Sequence, residues 1–316
     1  MKTDFSVEEL YRPSASGEHD IYSVLYIPEH PVGALQIAHG MAEHSGRYRE
    51  FASYLASHGW VVALNDHLGH GKSANEEPGV FTHREGHGFD YVLRDMRTLF
   101  LLLTERFPAC PQFLLGHSMG SILAALYGEE YGLGLRGLIL MGTPAPNRAA
   151  SHVLPIASMI RKRKGDGYVS PLLVKLTSAG MTAPDTAEHG PHAWLSHNLD
   201  SIREYDEDPL CGFPFTVGAN EALIGGLAAM SAPQWGEHIP MHLDCLVIAG
   251  KEDTCGGKGK GPKAYYKQLK NHGVEDVTLK LIPDARHEVL NELNREDTYA
   301  YLLAWLTERV GMKKFK

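Results

Sequence analysis

The chain has few cysteines, and they lie far apart. There are four in 316 residues, Cys110, Cys211, Cys245 and Cys255, and no two of them form a CxxC pair. In a chain of this length, such scattered thiols argue against a disulfide scaffold and against a structural zinc site. We therefore expect reduced thiols.

Long hydrophobic runs are also missing. The first ten residues, MKTDFSVEEL, contain no apolar stretch of the kind found in a secretory signal. No segment approaches the roughly 18 uninterrupted apolar residues of a membrane span. We predict a soluble, cytoplasmic protein.

Positive charge is in the minority. Lys and Arg number 30 against 38 Asp and Glu, which gives a net charge of -8. Nucleic-acid binding normally needs a basic face, so a nucleic-acid partner is not expected. The sequence does not fix the oligomeric state.

Histidine is abundant, with 18 residues, yet no metal-binding pattern accompanies it. His83 and His87 are four residues apart but lack the glutamate placement of an HExxH motif. We expect no metal and no cofactor. His39, His67, His70 and His117 fall in loops, where structural hydrogen bonds are the better explanation for them.

Short apolar runs alternate with helical periodicity over both ends of the chain. Asp20–Ile27 alternates like a half-buried strand, whereas other runs are continuously apolar or nearly so, as in strands buried on both faces. The predicted strands of this second kind are Ala34–Ala38 and Trp60–Leu64. Four more segments are also predicted as strands: Gln112–Leu115, Leu138–Met141, Leu246–Ala249 and Thr278–Ile282. Strands alternating with helices indicate a mostly parallel α/β sheet.

The alternation stops between residues 147 and 238. We predict a core formed by residues 1–146 and 239–316, with 147–238 as an inserted cap. The cap contains a basic run, Arg161–Lys164, which fits a solvated helix end or a contact with anionic headgroups. It also has many apolar residues for an insertion: Leu154, Ile156, Met159, Leu172, Leu173, Leu176, Met181, Leu223, Leu227 and Met230.

The strongest local motif is Gly116-His117-Ser118-Met119-Gly120, a GxSxG. An apolar strand runs into it and a helical segment follows. A serine at such a sharp strand-to-helix turn is exposed at the helix N-terminus, where developing negative charge is favoured. Ser118 is therefore the candidate nucleophile.

A serine nucleophile needs a base, and the base needs an acid to orient it. In this kind of fold the chain order is serine, acid, histidine, with the last two in loops after late strands. Asp253 and His287 satisfy that order. Glu252 is a rival acid that the sequence does not exclude.

An oxyanion intermediate needs two preorganised N–H donors. The backbone of Met119, directly after the serine, is one candidate. The second is the backbone of Met41, in the loop His39-Gly40-Met41-Ala42-Glu43-His44 that follows an early strand.

The segments 39–48 (HGMAEHSGRY), 66–73 (DHLGHGKS), 116–120 (GHSMG) and 285–292 (ARHEVLNE) together resemble the monoacylglycerol lipase and lysophospholipase family of serine α/β hydrolases. Ser121 departs from that family, which usually has a further glycine there. The resemblance implies an α/β-hydrolase fold with a helical cap inserted after the sixth core strand. It also implies hydrolysis of acyl-lipid esters through an acyl-enzyme, with an apolar tunnel under the cap. His39, Gly40, Glu43 and His117 become candidate substrate-binding residues.

Two alternatives stay open. A peptidase of the proline-iminopeptidase kind would use the same fold and triad, with an acidic cap cluster to hold a substrate amine. Glu204, Asp206, Glu207 and Asp208 offer such a cluster. The second alternative is a non-catalytic binding protein of the same fold.

Overall fold

A single eight-stranded sheet organises the chain in a computed structural model, which describes residues 4–74, 79 and 88–311. The strands are β1 (Phe5–Pro13), β2 (Asp20–Pro28), β3 (Gly33–Ala38), β4 (Trp60–Asn65), β5 (Gln112–His117), β6 (Gly137–Met141), β7 (Asp244–Gly250) and β8 (Val277–Ile282). Their spatial order is β1-β2-β4-β3-β5-β6-β7-β8.

The sheet is mostly parallel. The pairs β1–β2 and β2–β4 are antiparallel, and every pairing from β4 through β3 to β8 is parallel. Strands β3 to β7 are buried along their whole length because helices cover both faces. The predicted α/β-hydrolase fold class is confirmed.

Ten α-helices accompany the sheet in the described part of the chain. They are α1 (Arg49–Ala56), α2 (Gly88–Arg106), α3 (Met119–Tyr131), α4 (Ala150–Lys164), α5 (Pro171–Thr177), α6 (Thr186–His189), α7 (Leu199–Glu207), α8 (Val217–Met230), α9 (Lys260–Asn271) and α10 (Arg295–Val310). Short 3-10 turns, including Ala193–Leu195, connect some of them.

The two faces of the sheet carry different helices. Phe51 and Leu55 of α1 share one apolar core with Leu302 of α10. On the other face, α2, α3 and α9 pack into a second core, which also takes in Leu223 and Met230 of α8. The sheet thus holds the carboxyl ends of β3, β5, β7 and β8 at one fixed edge.

Strand β1 is absent from the sequence prediction, and β2 is less exposed than predicted. The residues of β1 are exposed or half-buried at the sheet edge and include charged side chains, so their apolar pattern is weak. Strand β2 is almost wholly buried, because the cores on both faces reach it through Ile21 and Tyr22. With β1 counted, the helical insertion follows the sixth strand.

All the structure between β6 and β7 in residues 147–238 is helix, turn or loop. Helices α4 and α5 pack against α8 through a separate small core that includes Ala157, Leu173 and Ile224. Helix α8 also contacts α2 and α3 of the sheet region. The division into a core and a cap stays a prediction. His83 and His87 lie outside the described residues.

None of the helices in the described part of the chain combines the length and apolar character needed to cross a membrane.

Candidate active site

Ser118 sits at the sharp turn between β5 and α3. Its φ of 54° lies in the left-handed region that non-glycine residues rarely adopt. Gly116 and Gly120 allow this turn to pack closely against the neighbouring backbone. A Cβ on Gly116 would come within 2.0 Å of the Gly120 carbonyl oxygen, and one on Gly120 within 2.1 Å of the Ala38 carbonyl oxygen. The strand, the turn and the helix can therefore approach this closely only without side chains there.

His287 and Asp253 form a buried pair. Nδ1 of His287 lies 3.1 Å from Oδ1 of Asp253, and the side chains are 1% and 0% exposed. Burial opposes the charge of Asp253, but the nearby His287 and the Gly256 N–H outweigh it and lower the pKa of the carboxyl. Within the described chain, Nε2 of His287 has no hydrogen-bond partner. That nitrogen is the one that a general base would offer to a serine.

Glu252, the rival acid, points elsewhere. Its carboxylate lies 3.3 Å from Nε2 of His197, and its side chain is half exposed. The geometry therefore favours Asp253 as the partner of His287.

The residues that carry the two candidate oxyanion donors lie close to Ser118. Met119 begins α3, where the first N–H groups have no partner within the helix. The loop that contains Met41 also approaches the serine, because a Cβ on Gly40 would stand 3.2 Å from the Cβ of Ser118. Both methionines line the cavity in front of the serine.

Glu43 is a buried carboxylate that holds this loop through hydrogen bonds. Its Oε1 accepts hydrogen bonds from the Gly40 N–H and, at 2.8 Å, from the Tyr48 hydroxyl. Nδ1 of His117 lies 3.2 Å from the same oxygen. Burial opposes the charge of Glu43, but His117 and the guanidinium of Arg47 outweigh it and lower the pKa of the carboxyl.

The pKa of His117 is shifted in the opposite direction to that of Glu43. Burial alone would lower its pKa, yet the hydrogen bond to Glu43 outweighs burial and raises it. Its second ring nitrogen faces the His287 carbonyl oxygen at 3.4 Å. Because both ring nitrogens face acceptors, the doubly protonated imidazolium is favoured.

Three further histidines form a stack behind the loop. The ring centroids of His39 and His67 are 4.0 Å apart, and those of His39 and His70 are 5.1 Å apart. Nε2 of His39 accepts the His67 N–H, which leaves Nδ1 to donate to the Gly40 carbonyl. Burial lowers the pKa of each of the three imidazoles to about 3, so all are neutral.

The predicted substrate-binding residues thus have protein partners. His39, Glu43 and His117 are buried with their hydrogen bonds directed at the loop and at each other, and Gly40 packs between Glu43 and Ser118. None of the four is among the described residues that line the cavity. Their described contacts are with protein groups, and the substrate-binding role stays a prediction.

A cavity of about 410 Å³ opens in front of Ser118. Its wall is mostly apolar and comes from both the sheet region and the insertion. The insertion contributes Leu176, Met181, Leu223 and Leu227, all four from the predicted apolar set, together with Val153 and Ile224. Ile156, Met159 and Leu172 of that set instead point outward, with 40% to 50% of each side chain exposed.

Several residues at the site could not be assigned a role from the sequence alone. Arg47 pairs with Glu288 next to His287, and the indole of Trp194 contacts the His287 imidazole with ring centroids 4.8 Å apart. Trp194 carries no local sequence signal, because only the tertiary fold brings it to residue 287.

One cluster brings together three side chains of types that can bind a metal ion. Side-chain atoms of His44, Asp208 and Cys211 lie within 4.8 Å of one another. His44 is already bonded to Asp208 at 2.8 Å, and burial together with nearby carboxylates raises the pKa of the Cys211 thiol. A protonated thiol is a poor ligand, so the residues do not fit a metal well.

Comparisons with known proteins identify the relatives of this chain. A family model described as serine aminopeptidase, S33, matches residues 29–294. A monoacylglycerol lipase from Mycolicibacterium smegmatis is 30% identical, covering 93% of this chain and 95% of its own. A monoglyceride lipase from Rattus norvegicus is 26% identical, covering 89% and 84%.

The solved structures show the same fold. A thermostable carboxyl esterase from Bacillus coagulans superposes with a TM-score of 0.90 at 28% identity, covering 97% of this chain and all of its own. A monoacylglycerol lipase from Paleococcus ferrophilus superposes with a TM-score of 0.68 at 22% identity, covering 92% and 99%.

Fold and site together define a carboxylic ester hydrolase of the serine α/β-hydrolase class. Within that class, the chain belongs to the monoacylglycerol lipase-like family of serine hydrolases.

Proposed function

We propose that the protein hydrolyses monoacylglycerols through an acyl-enzyme on Ser118. The observation that carries this proposal is the position of the apolar cavity. It begins at Ser118, is lined by both candidate oxyanion donors, and is walled by aliphatic side chains of the insertion. Such a space suits an acyl chain whose ester carbonyl lies at the serine.

The proposed reaction has two acyl-transfer steps. Nε2 of His287 takes the Ser118 proton while the serine oxygen bonds to the ester carbonyl carbon. The backbone N–H groups of Met41 and Met119 hold the resulting oxyanion. His287 then gives the proton to the leaving glycerol oxygen, and water repeats the sequence to release the fatty acid. Asp253 keeps the imidazole oriented throughout.

Labelling tests the nucleophile directly. A fluorophosphonate should add to the protein once, and peptide mass mapping should place the adduct on Ser118. Ser57→Ala, a change in a turn far along the chain from the motif, is the matched control and should label normally. An adduct elsewhere, or no adduct on the folded protein, would contradict the proposal.

A substrate panel tests the headgroup. We expect the highest kcat/KM on a monoacylglycerol and a lower value on a lysophospholipid of equal acyl length. The reverse order would make the protein a lysophospholipase with the same nucleophile.

The aminopeptidase alternative draws on the description of the matching family model. Two of the acidic residues that it needs are already paired with histidines. Asp208 pairs with His44, and Asp206 pairs with His192. None of the predicted acidic cluster is among the described residues that line the cavity. A Pro-naphthylamide should therefore be a poor substrate in the same panel, and efficient cleavage of it would revive this alternative.

We further propose that residues 147–238 act as a cap that meets lipid surfaces. Helices α4 and α5 present a group of exposed apolar side chains, Ile156, Met159 and Leu172, beside the basic end of α4. Apolar and cationic groups side by side suit an anionic membrane interface.

Vesicle sedimentation tests that contact. The protein should bind vesicles containing phosphatidylglycerol more strongly than pure phosphatidylcholine vesicles. The triple variant Lys162→Glu, Arg163→Glu, Lys164→Glu should lose most of this difference while hydrolysing a soluble short-chain ester normally. Equal binding by the triple variant would contradict the proposed surface.

A further inference from the structure

Trp194 comes from the insertion but touches the proposed base. It lies in the 3-10 turn Ala193–Leu195 between α6 and α7, and it is half-buried. Its indole and the His287 imidazole have ring centroids 4.8 Å apart at an interplanar angle of 46°. This spacing is that of a favourable aromatic contact.

Both chain neighbours of His287 hold the turn that contains Trp194. The Arg286 guanidinium donates to the carbonyl oxygens of Ala193 at 2.6 Å and Ser196 at 3.3 Å. The Glu288 N–H donates to the Leu195 carbonyl oxygen at 2.8 Å. The carbonyls before and after Trp194 in sequence are therefore tied to the residues before and after His287.

The anchoring continues along both segments. Nδ2 of Asn198 donates to the Asn291 carbonyl oxygen at 3.1 Å, and the His197 N–H donates to buried Glu292 at 3.0 Å. Glu292 also accepts the Arg286 N–H at 2.7 Å. Residues 193–198 and 286–292 thus form one hydrogen-bonded unit.

A further contact fixes the arginine of this unit. Both Arg286 bonds to the Asp185 carboxylate, from the guanidinium to each oxygen, measure 2.8 Å. Both of these contacts come from Nη2, whereas Nη1 makes the two bonds to the turn, so the charge-assisted contact with Asp185 restrains the guanidinium that bonds the turn.

His287, the proposed base, must keep both of its ring nitrogens aligned with their partners. Its Nδ1 must stay on Asp253 while Nε2 serves the serine, so rotation of the ring would break both alignments. Among the described residues, two rings contact the imidazole: His117, with centroids 4.8 Å away, and Trp194.

We propose that Trp194 is a positioning residue for His287, and that residues 193–198 are a fixed part of the active site rather than a moving part of the cap. This inference rests on the proposed function for the role of His287. The indole restrains the imidazole and shields it from water, and the bonds from Arg286 and Glu288 keep the indole in place.

The test compares Trp194→Ala with Trp194→Phe on a soluble ester. Trp194→Ala should lower kcat by about 10- to 100-fold, the scale expected when a reacting group loses its alignment, with KM changed less than about threefold. Trp194→Phe keeps an aromatic face and should recover most of kcat. Leu199→Ala, an exposed position at the start of α7, is the matched control and should behave like the wild type.

Several results would overturn the proposed role of Trp194. Wild-type kcat in Trp194→Ala would overturn it, as would a rise in KM alone, which would make Trp194 a substrate contact. Equal losses in the Ala and Phe variants would also overturn it. If the Ala variant does not fold, Trp194→Leu takes its place and should have a lower kcat than Trp194→Phe. Retained esterase activity in Ser118→Ala would instead refute the proposed function, whatever Trp194 variants do.

Discussion

At the scale of single residues, the site depends on which polar groups the fold pairs in its interior. Asp253 and Glu252 are adjacent in sequence and chemically alike. The fold separates them, since Asp253 is buried against His287 while the half-exposed Glu252 reaches His197. Sequence order could narrow the acid to these two positions, but only the backbone path after β7 distinguishes them.

Glu43 gives a residue-scale prediction on stability. The pKa of Glu43 is lowered in the fold, so its stabilising effect exists above about pH 4.5 and is lost as the pH falls. The pKa of His117 is raised, so its effect exists below about pH 6.5 and is lost at higher pH. The pair should therefore stabilise the fold most between those two values.

The variant Glu43→Gln should unfold with a free energy lower by about 2 kcal/mol or more, because charge-assisted hydrogen bonds become neutral ones. Urea unfolding at pH 4, 5.5 and 9 measures the difference from the wild type. We expect the largest difference at pH 5.5. A difference that does not vary with pH would show that the Glu43–His117 pair is not ionised in the fold.

At the scale of elements, the strand-to-helix turn is the feature that the sequence predicts best. The GxSxG pattern, the apolar strand before it and the helix after it are all local, so Ser118 could be placed from the sequence. Strands β3 and β4 were predicted for a similar reason, since continuous apolar runs mark strands buried on both faces. Strand β1 was missed because it is an exposed edge strand with charged residues.

Two helical glycines give an element-scale prediction. Gly120→Ala should destabilise the protein by about 3 kcal/mol or more, because its Cβ would overlap backbone at Ala38. Gly225→Ala in α8 is the matched control, since the nearest atom to its Cβ would be 3.7 Å away. That change should be neutral or stabilise by up to about 1 kcal/mol. Thermal unfolding measures both, and similar midpoints for the two variants would contradict the close approach of α3 to β3.

At the scale of the whole molecule, the sequence could not predict which environment each apolar residue of the insertion occupies. Its apolar composition indicated a lipid cavity, but the same composition serves the cavity wall, the packing against α8 and the outer surface. Leu176, Leu173 and Met159 illustrate the three environments. The contact of Trp194 with His287 spans more than ninety residues of chain, and no local pattern encodes it.

The buried histidine stack makes a prediction for the whole fold. His39, His67 and His70 have pKa values of about 3, below the ordinary value near 6.5. The unfolded chain therefore binds more protons in that interval, and stability should fall as the pH falls below about 6.5. The urea midpoint should be lower at pH 5 than at pH 7.5.

The variant His67→Gln is the matched comparison for this pH effect, because it removes one titrating group from the stack. Its midpoint should depend less on pH over the same interval. Equal midpoints at pH 5 and 7.5 in the wild type would mean that the three imidazoles are not held neutral.

The hydrolysis rate of a monoacylglycerol by Ser118→Ala tests whether Ser118 performs ester hydrolysis. We predict a fall in kcat of about 10⁴-fold or more with an unchanged unfolding midpoint, because the nucleophile is lost while the fold is kept. Near-wild-type turnover by that variant would contradict the account.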